Sequence, residues 1–409
     1  MPTKNELKMF QSYPLEMKIA KTKLRIREWV DYYGTNGVYV SFSGGKDSTV
    51  LLHIVRQMYP DIEAVFVNTG LEYPEIQSFV KSFDNVTILR PKMRFDEVIR
   101  KYGYPFIGKK QADTISGARN SLSKGVYSLR LMECGVSIEE AKKTGLKLPS
   151  DEMLNRYSAA CKNSKYVMTK YKPLLFVDFD ISHYCCNVMK KSPMRVFQKQ
   201  CDKLPITAQT TEESMLREAA WLKNGCNAFE AKHKVSNPMS FWREQDILAY
   251  IKQNNLPIAS VYGDIVYGEK DGEQYDNLIC DCGSKLCTTG CDRTGCIFCG
   301  FGAHLEKGES RFERLKKTHP RQYEYCMGGG TYQWSGEAQT SNGEWRIIDF
   351  INDDGSPMSN EDIEKYVKIH INDKDYRFRK LWKPTKDGLG MAHCIDEMNK
   401  IYGKDFIRY

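Results

Sequence analysis

Six consecutive residues carry the chemistry most open to reading: Ser43-Gly44-Gly45-Lys46-Asp47-Ser48. Two glycines let a backbone turn approach an anion, and a helix opening directly after them would offer its unpaired N–H groups to a phosphate. Lys46 adds a point charge, the Ser48 hydroxyl can donate to a phosphate oxygen, and Asp47 can hold Mg2+ or orient the loop. The spacing is not that of the Walker loop, because no glycine stands five residues before the Gly-Lys pair. A plain glycine turn capped by Asp47 is the alternative.

The second group is made of thiols. Fourteen cysteines in 409 residues are too sparse for a disulfide scaffold, yet six of them (Cys280, Cys282, Cys287, Cys291, Cys296 and Cys299) fall in one short stretch. Cys185 and Cys186 are neighbours, a pair that cannot easily bond to each other but can face one bulky iron-sulfur cluster. Cys296 and Cys299, at C-x-x-C spacing, supply two further thiolates. A zinc ion at these four, or unliganded thiols, are the alternatives. Cys280, Cys282, Cys287 and Cys291 form C-x-C-x4-C-x3-C in a Gly- and Asp-rich loop, a pattern that suits a structural zinc site, a role in sulfur handling, or no metal.

These residues need elements to hold them. A helix over 14–32, with Leu15, Ile19, Leu24, Ile26 and Trp29 at roughly helical intervals, leads into a strand at Val38–Phe42. The loop follows, then a helical pattern with Val50, Leu51, Ile54 and Met58 on one side. IEAVFVNTG and NVTILRP read as further buried strands. Alternation at this spacing predicts an α/β fold with a doubly wound, mostly parallel sheet, ligands gathering at the strands' C-terminal ends. Residues 105–165 read as a helical insertion, 174–179 and 204–208 as weaker strands, and WREQDILAYIKQN as a helix. The expected organisation is an amphipathic helix in 1–35, a nucleotide-binding domain over 36–270, a Cys-rich metal-binding segment over 271–328, a linker near 328–336, and a small C-terminal module over 337–409.

Composition bounds the rest. With 41% hydrophobic and 27% charged residues the chain can bury a full core. Nothing resembles a signal peptide or a membrane span, so a cytoplasmic location, where thiols stay reduced, is expected. The formal net charge is +8. Segment 81–130 alone carries eleven basic and four acidic residues, and segment 161–200 eight and two. Both suit an anionic partner, although a solvated helix face is the plainer source of such runs. Tyr102, Tyr104, Phe106 and Tyr127 interleave with the first run and could stack bases or simply fill a core.

The loop resembles the SGGxDS signature of the PP-loop ATP pyrophosphatase superfamily, and the resemblance extends over roughly residues 15–325. It implies an adenine nucleotide alpha hydrolase-like fold that binds ATP with Mg2+ and cleaves between the α and β phosphates. Within that superfamily, VFVNTGLEYPE and ITAQTTEESMLR resemble segments of the PAPS reductases, implying that Thr69, Gly70, Glu213, Ser214 and Arg217 line the nucleotide pocket. A simple turn at Thr69-Gly70 and a helix cap at Thr210 or Thr211 are the local alternatives. Cys185-Cys186 followed by Lys190 and Pro193, with the later C-x-x-C, is similar to the 4Fe-4S pattern of iron-sulfur sulfonucleotide reductases. Met189 stands where that pattern has an arginine. Lys190, Lys191 and Arg293 would offset the charge of a thiolate-bound cluster.

Two reactions share this architecture. Reduction of a sulfonucleotide such as APS or PAPS needs a cysteine nucleophile, which in that family sits in a C-terminal Glu-Cys-Gly-x-His segment. Here the only Glu-Cys-Gly is Glu133-Cys134-Gly135, without the histidine. Cys326, expected in a mobile place, and Cys394, beside His393, are the remaining candidate nucleophiles. The other reaction is adenylation of an acceptor followed by sulfur transfer, as in tRNA-thiolating and DndC-like enzymes. Retention of loop and cluster motifs without the reductase tail favours it. It implies a sulfur donor, such as a cysteine desulfurase, and an acceptor that is a nucleic acid or a small molecule. A protein that binds nucleotide or nucleic acid without chemistry is the third reading.

Overall fold

The computed structural model describes residues 2–164, 168–268, 285–352 and 354–409. In chain order its strands are β1 (Val38–Ser41), β2 (Ala64–Val67), β3 (Val86–Leu89), β4 (Phe106–Ile107), β5 (Leu204–Ile206), β6 (Ile265–Tyr267), β7 (Leu286–Thr288), β8 (Gly300–Phe301), β9 (Thr331–Gln339), β10 (Trp345–Ile347) and β11 (Tyr376–Lys383). The chain gathers into two compact units, each built from two stretches: 1–93 with 188–297, and 94–187 with 298–409.

The first unit holds a four-stranded sheet in the order β3-β2-β1-β5, with every neighbouring pair parallel. Strands that leave β1 in one direction through β2 and β3 and return on its other side as β5 create a topological switch point at the carboxyl ends of β1 and β5, where open α/β sheets bind ligands. Val38, Tyr39 and Val40 of β1 and Ala64, Val65 and Phe66 of β2 are all buried. They read as continuous apolar runs because both faces of a parallel sheet are covered. The helix Lys46–Met58 buries Val50, Leu51, Leu52, Ile54 and Val55.

The helix expected in the first 35 residues is two, a short one at Lys4–Gln11 and a longer one at Leu15–Tyr33, and the longer buries only part of the stripe expected of it. Its covered residues are Lys18, Thr22, Ile26, Trp29 and Val30, whereas Leu24 is exposed. Two polar residues lie on the inner face because each has a partner. Lys18 Nζ pairs with Asp246 at 2.6 Å, and the Thr22 hydroxyl accepts from Trp242 Nε1 at 2.8 Å while donating to the Pro238 carbonyl. Losing either partner would strand a buried polar group.

The second unit contains the helix Phe95–Tyr102 and, in the stretch 105–165 expected to be helical, Lys109–Ser123, Leu129–Glu133, Ile138–Lys143 and Asp151–Lys162. It also contains an antiparallel sheet in the order β10-β9-β11. Residues expected to be a linker near 328–336 therefore enter β9, the central strand, bonded to a neighbour on each side. The expected strand at 174–179 is absent: Thr169–Leu175 forms a 3-10 helix with Leu174 and Leu175 buried, so its apolar run fills a helical turn rather than a ladder. Among the described residues, no helix is long and apolar enough to cross a membrane.

Candidate functional site

The six-residue loop runs from the carboxyl end of β1 into the helix Lys46–Met58. Gly44 has φ +72°, and a Cβ there would meet Val80 Cγ2 at 2.7 Å and Ile76 Cγ2 at 2.9 Å. Only glycine both adopts that angle and tolerates the approach of the helix Pro74–Lys81. Gly45 is the helix N-cap and makes no side-chain cap bond, which leaves first-turn N–H groups for a ligand. Hydroxyls brace the turn from within. Ser43 Oγ and Ser48 Oγ are 3.0 Å apart, and Ser48 Oγ and Thr49 Oγ1 donate to the Gly45 carbonyl at 2.9 and 3.0 Å.

This turn forms one wall of a cavity of about 320 Å³ whose other walls come from the segment after β5 and from residues 292–294. Ser43, Gly45, Lys46, Asp47 and Ser48 line it, while Gly44 serves the packing behind. Lys46 is almost wholly buried. Its ammonium lies 3.1 Å from Glu244 Oε1 and 5.3 Å from the centre of the Tyr262 ring. Tyr262 Oη is in turn 2.5 Å from Thr294 Oγ1. Burial, reinforced by the Glu213 carboxylate, pushes the Asp47 carboxyl up to about 6, against the pull of Lys46 and Arg293. Three cations and five carboxylates thus share the cavity lining, a composition suited to phosphates that arrive with a divalent cation.

Of the residues the resemblance assigns to the nucleotide pocket, Glu213 and Arg217 line this cavity and are paired with each other. Ser214 caps the helix Met215–Asn224, accepting from the Arg217 N–H, so the cap lies there and not at Thr210 or Thr211. Thr69 is bonded to Glu72 through both its N–H and its hydroxyl, at 3.0 and 2.8 Å, and Gly70 is an exposed turn residue at φ +75°. Glu72 also lies 3.7 Å from Lys190, and both line a second cavity, of about 170 Å³, at the ends of β1 and β2. Arg293, expected beside a cluster, lines the loop cavity. Glu244 and Tyr262 escaped the reading of the sequence because neither carries a local motif. Each arrives from an element more than a hundred and fifty residues from the loop.

The four cysteines of the expected cluster are divided between the two units. Cys185, Cys186 and Cys299 belong to the second unit and Cys296 to the first. Cys185 is buried and Cys186 and Cys299 are half-covered. The Cys299 thiol is pushed up, first by burial and further by the like charge of Cys186, while Arg311 and Lys109 pull it down. Cys299 of the C-x-x-C and Cys186 of the Cys-Cys pair therefore come within electrostatic reach of each other beside two cations. Arg311 also donates to the Cys299 carbonyl at 2.8 Å. Pairing of β4 with β8 anchors the segment, and Gly300 is needed there because a Cβ would lie 2.3 Å from the Phe106 ring.

Among the described residues, no group of three or more His, Cys, Asp or Glu side chains is arranged to hold a single metal ion. Four thiolates round an iron-sulfur cube stand farther apart than the ligands of one ion. Cys280 and Cys282 lie outside the described residues. Cys287 sits in β7, and buried Cys291 follows it in a turn in which Thr288 Oγ1 donates to the Cys291 carbonyl at 3.0 Å.

The two candidate nucleophiles are enclosed. Cys326 is not in a mobile segment but in the helix Pro320–Met327, fully buried, and burial pushes its thiol up. Cys394 is fully buried in the helix Met391–Tyr402, its thiol raised by burial and by Asp178. His393 does not activate it, since the imidazole Nε2 lies 3.0 Å from Asp178 and the ring stacks on Trp382 at 4.2 Å. Cys134 is likewise buried and raised to about 12.

Similar proteins can now be set beside this geometry. The family model of the phosphoadenosine phosphosulfate reductase domain matches residues 37–111 and 139–300, more than half of the chain. Two uncharacterized proteins of Methanocaldococcus jannaschii are each 38% identical over 73 residues, 17% of this chain and 18% and 15% of their own lengths. The chain thus spans less than a fifth of those relatives. The crystal structure of phosphoadenylyl-sulfate (PAPS) reductase from Candida auris in a phosphate complex matches with a TM-score of 0.32 and 12% identity, over 64% of this chain and 91% of that one. The family match takes in the glycine turn, the switch-point sheet and all four cysteines of the two motifs, and by it the chain belongs to the phosphoadenosine phosphosulfate reductase domain family.

Proposed function

We propose that the chain is an ATP pyrophosphatase of adenylating sulfurtransferase type: it activates an acceptor with AMP and exchanges the AMP for sulfur. The supporting observation is the switch-point cavity, where the loop's backbone, Lys46, Arg217 and Arg293 meet five carboxylates, Asp47, Glu212, Glu213, Glu244 and Asp292. The triphosphate of ATP would lie against the N–H groups of the first helical turn, with Lys46 turned to it from Glu244. Mg2+, which keeps most of its waters and needs only one or two carboxylates beside the phosphates, would offset the burial and the Glu213 charge that together raise Asp47. An acceptor oxygen then attacks the α-phosphorus and pyrophosphate leaves. Lys46 and the arginines stabilise the charge that develops on the phosphates. A sulfur nucleophile delivered by a cysteine desulfurase or another donor displaces AMP in the second step.

Cys185, Cys186, Cys296 and Cys299 would hold a 4Fe-4S cluster, with Lys109 and Arg311 offsetting its negative charge. Such a cluster, each of its irons already taken by one cysteine, would supply a one-electron redox centre when bound. Adenylation is favoured over sulfonucleotide reduction because Cys326 and Cys394 are enclosed and their thiols raised, the opposite of what a nucleophile needs.

The test uses ATP labelled at the α or the γ position. AMP and pyrophosphate are the expected products. ADP and phosphate, or turnover of APS or PAPS to sulfite in place of ATP cleavage, would overturn the reading.

A further inference from the structure

A second cationic site lies in the other unit, in a cleft of about 1610 Å³, some five times the loop cavity. One of its walls comes from the helical segment 97–130 and the turn at 180–184, the other from β9–β11 and the residues just beyond them. On its floor Arg119 and Arg379 approach one carboxylate, Asp180, at 3.3 and 3.9 Å. Lys383 is held down by burial and by the nearby Arg379 and Arg100, with Asp180 opposing them. Arg119, Arg379 and Lys383 thus gather round Asp180, with Arg100 close to Lys383. Asp178, the other carboxylate felt by Arg119, is already engaged by His393 and Tyr332. Arg119 is more than nine-tenths buried and its Nε makes no hydrogen bond among the described residues, although its Nη1 donates to the carbonyls of Leu174 and Val177. Crowding of like charge at a half-buried floor is relieved by an anion with several oxygens, for which guanidinium forks are suited.

The same cleft offers flat apolar surface. Tyr102 and Tyr184 stack at 5.2 Å with an interplanar angle of 15°, the His183 ring lies tilted against Tyr184 at 4.8 Å, and Tyr184 remains 43% exposed. Trp334 lines the opposite wall, its indole Nε1 lacking a hydrogen-bond partner among the described residues. Cations along a cleft floor with aromatic faces on its walls form the arrangement that holds a single strand, the backbone on the charges and the bases on the rings.

We propose that this cleft binds a single-stranded nucleic acid segment, its phosphates on Arg100, Arg119, Arg379 and Lys383 and a base stacked on Tyr184. Volume decides between a strand and a mononucleotide, because the cleft exceeds by several-fold what one nucleotide fills. Tyr184 directly precedes Cys185 in the chain, which brings the base-stacking face to the residue beside the thiols. The proposal names the acceptor left open by the adenylation reading and rests on that reading only for the chemistry after binding.

The test is fluorescence anisotropy of a labelled single-stranded oligonucleotide of about a dozen nucleotides with the full chain and no ATP, so failure of ATP cleavage leaves it unaffected. Because Arg119 also bonds main-chain carbonyls, the variants are Arg379→Ala with Lys386→Ala, both exposed and both lining the cleft. Affinity is expected to fall about tenfold, and the slope of log affinity on log salt by about 0.7 for each phosphate no longer neutralised. Tyr184→Ala is expected to cost about tenfold and Tyr184→Phe, which keeps the ring, little. Lack of binding by the parent chain, equal binding by all variants, or displacement of the strand by an equal concentration of ATP would each overturn the proposal.

Discussion

The loop cavity and the cleft of the second unit both suit phosphate, by opposite means. In the cavity the anion would meet main-chain N–H groups held by a glycine turn, with one buried lysine whose charge is matched by Glu244. In the cleft the donors are side chains, and positive charge exceeds negative round Asp180. A backbone site is rigid and balanced before its ligand comes, as catalysis requires. A side-chain site with surplus charge is strained until an anion arrives, and suits a partner that binds by its charge and leaves as salt rises.

Removing Lys46 should make the sharpest break between the two. Lys46→Ala is expected to lower AMP release from ATP by about 10²–10³-fold, the usual cost of losing a preorganised charge beside a transferring phosphoryl group. The measurement is single-turnover cleavage of labelled ATP. The cysteines come next: Cys186→Ser and Cys299→Ser should each lose most of the iron of an anaerobically purified sample, about four atoms per chain in the parent. Iron content read beside visible absorption checks this, and a colourless parent would remove the cluster from the comparison.

Asp47 sharpens the contrast through stability. Its carboxyl is raised from 3.8 to about 6 in the fold, so the folded protein binds the proton more tightly and ionisation costs stability. That cost is absent below about pH 4, grows between about pH 4 and 6, and is complete above. Asp47→Asn should therefore raise unfolding stability by about 1–3 kcal/mol at pH 7.5 and hardly at all at pH 4, while abolishing ATP cleavage. Denaturant melts at the two pH values measure the difference. The smallest effect belongs to Cys394→Ala, which should leave both iron content and AMP release within about twofold and cost about 1 kcal/mol of stability. Loss of turnover in that variant would return the enclosed thiol to the chemistry.

Legibility differed in the same way. The turn from Ser43 to Ser48 and the strands beside it were readable because strand, glycine turn and helix are consecutive, and short unbroken apolar runs mark strands covered on both faces. The helix Leu15–Tyr33 was readable in extent but only partly in face. Lys18 and Thr22 look like solvent residues until Asp246 and Trp242, more than two hundred residues on, supply their partners. Trp334 and its neighbours read as a linker because glycines at 328–330 and 336 dominate that stretch, yet the register of β9 with β11 makes it the centre of a sheet. Cys326 looked mobile for the same reason, and is enclosed because the helix Pro320–Met327 ends only at Gly328.

What the sequence by itself determined is local: the glycine turn between strand and helix, the parallel α/β class, the two thiol motifs and the helical stretch after residue 105. Each depends on residues within a few positions of one another, whose backbone angles and apolar period are set by their own side chains. What only the tertiary structure decided is non-local. It brought Glu244, Tyr262 and Arg293 to the loop, gathered 94–187 with 298–409 into one unit, and drew cations scattered along the chain into a cleft round Asp180. Such proximity depends on chain closure over hundreds of residues, and no periodicity within a segment records which distant partner will cover it.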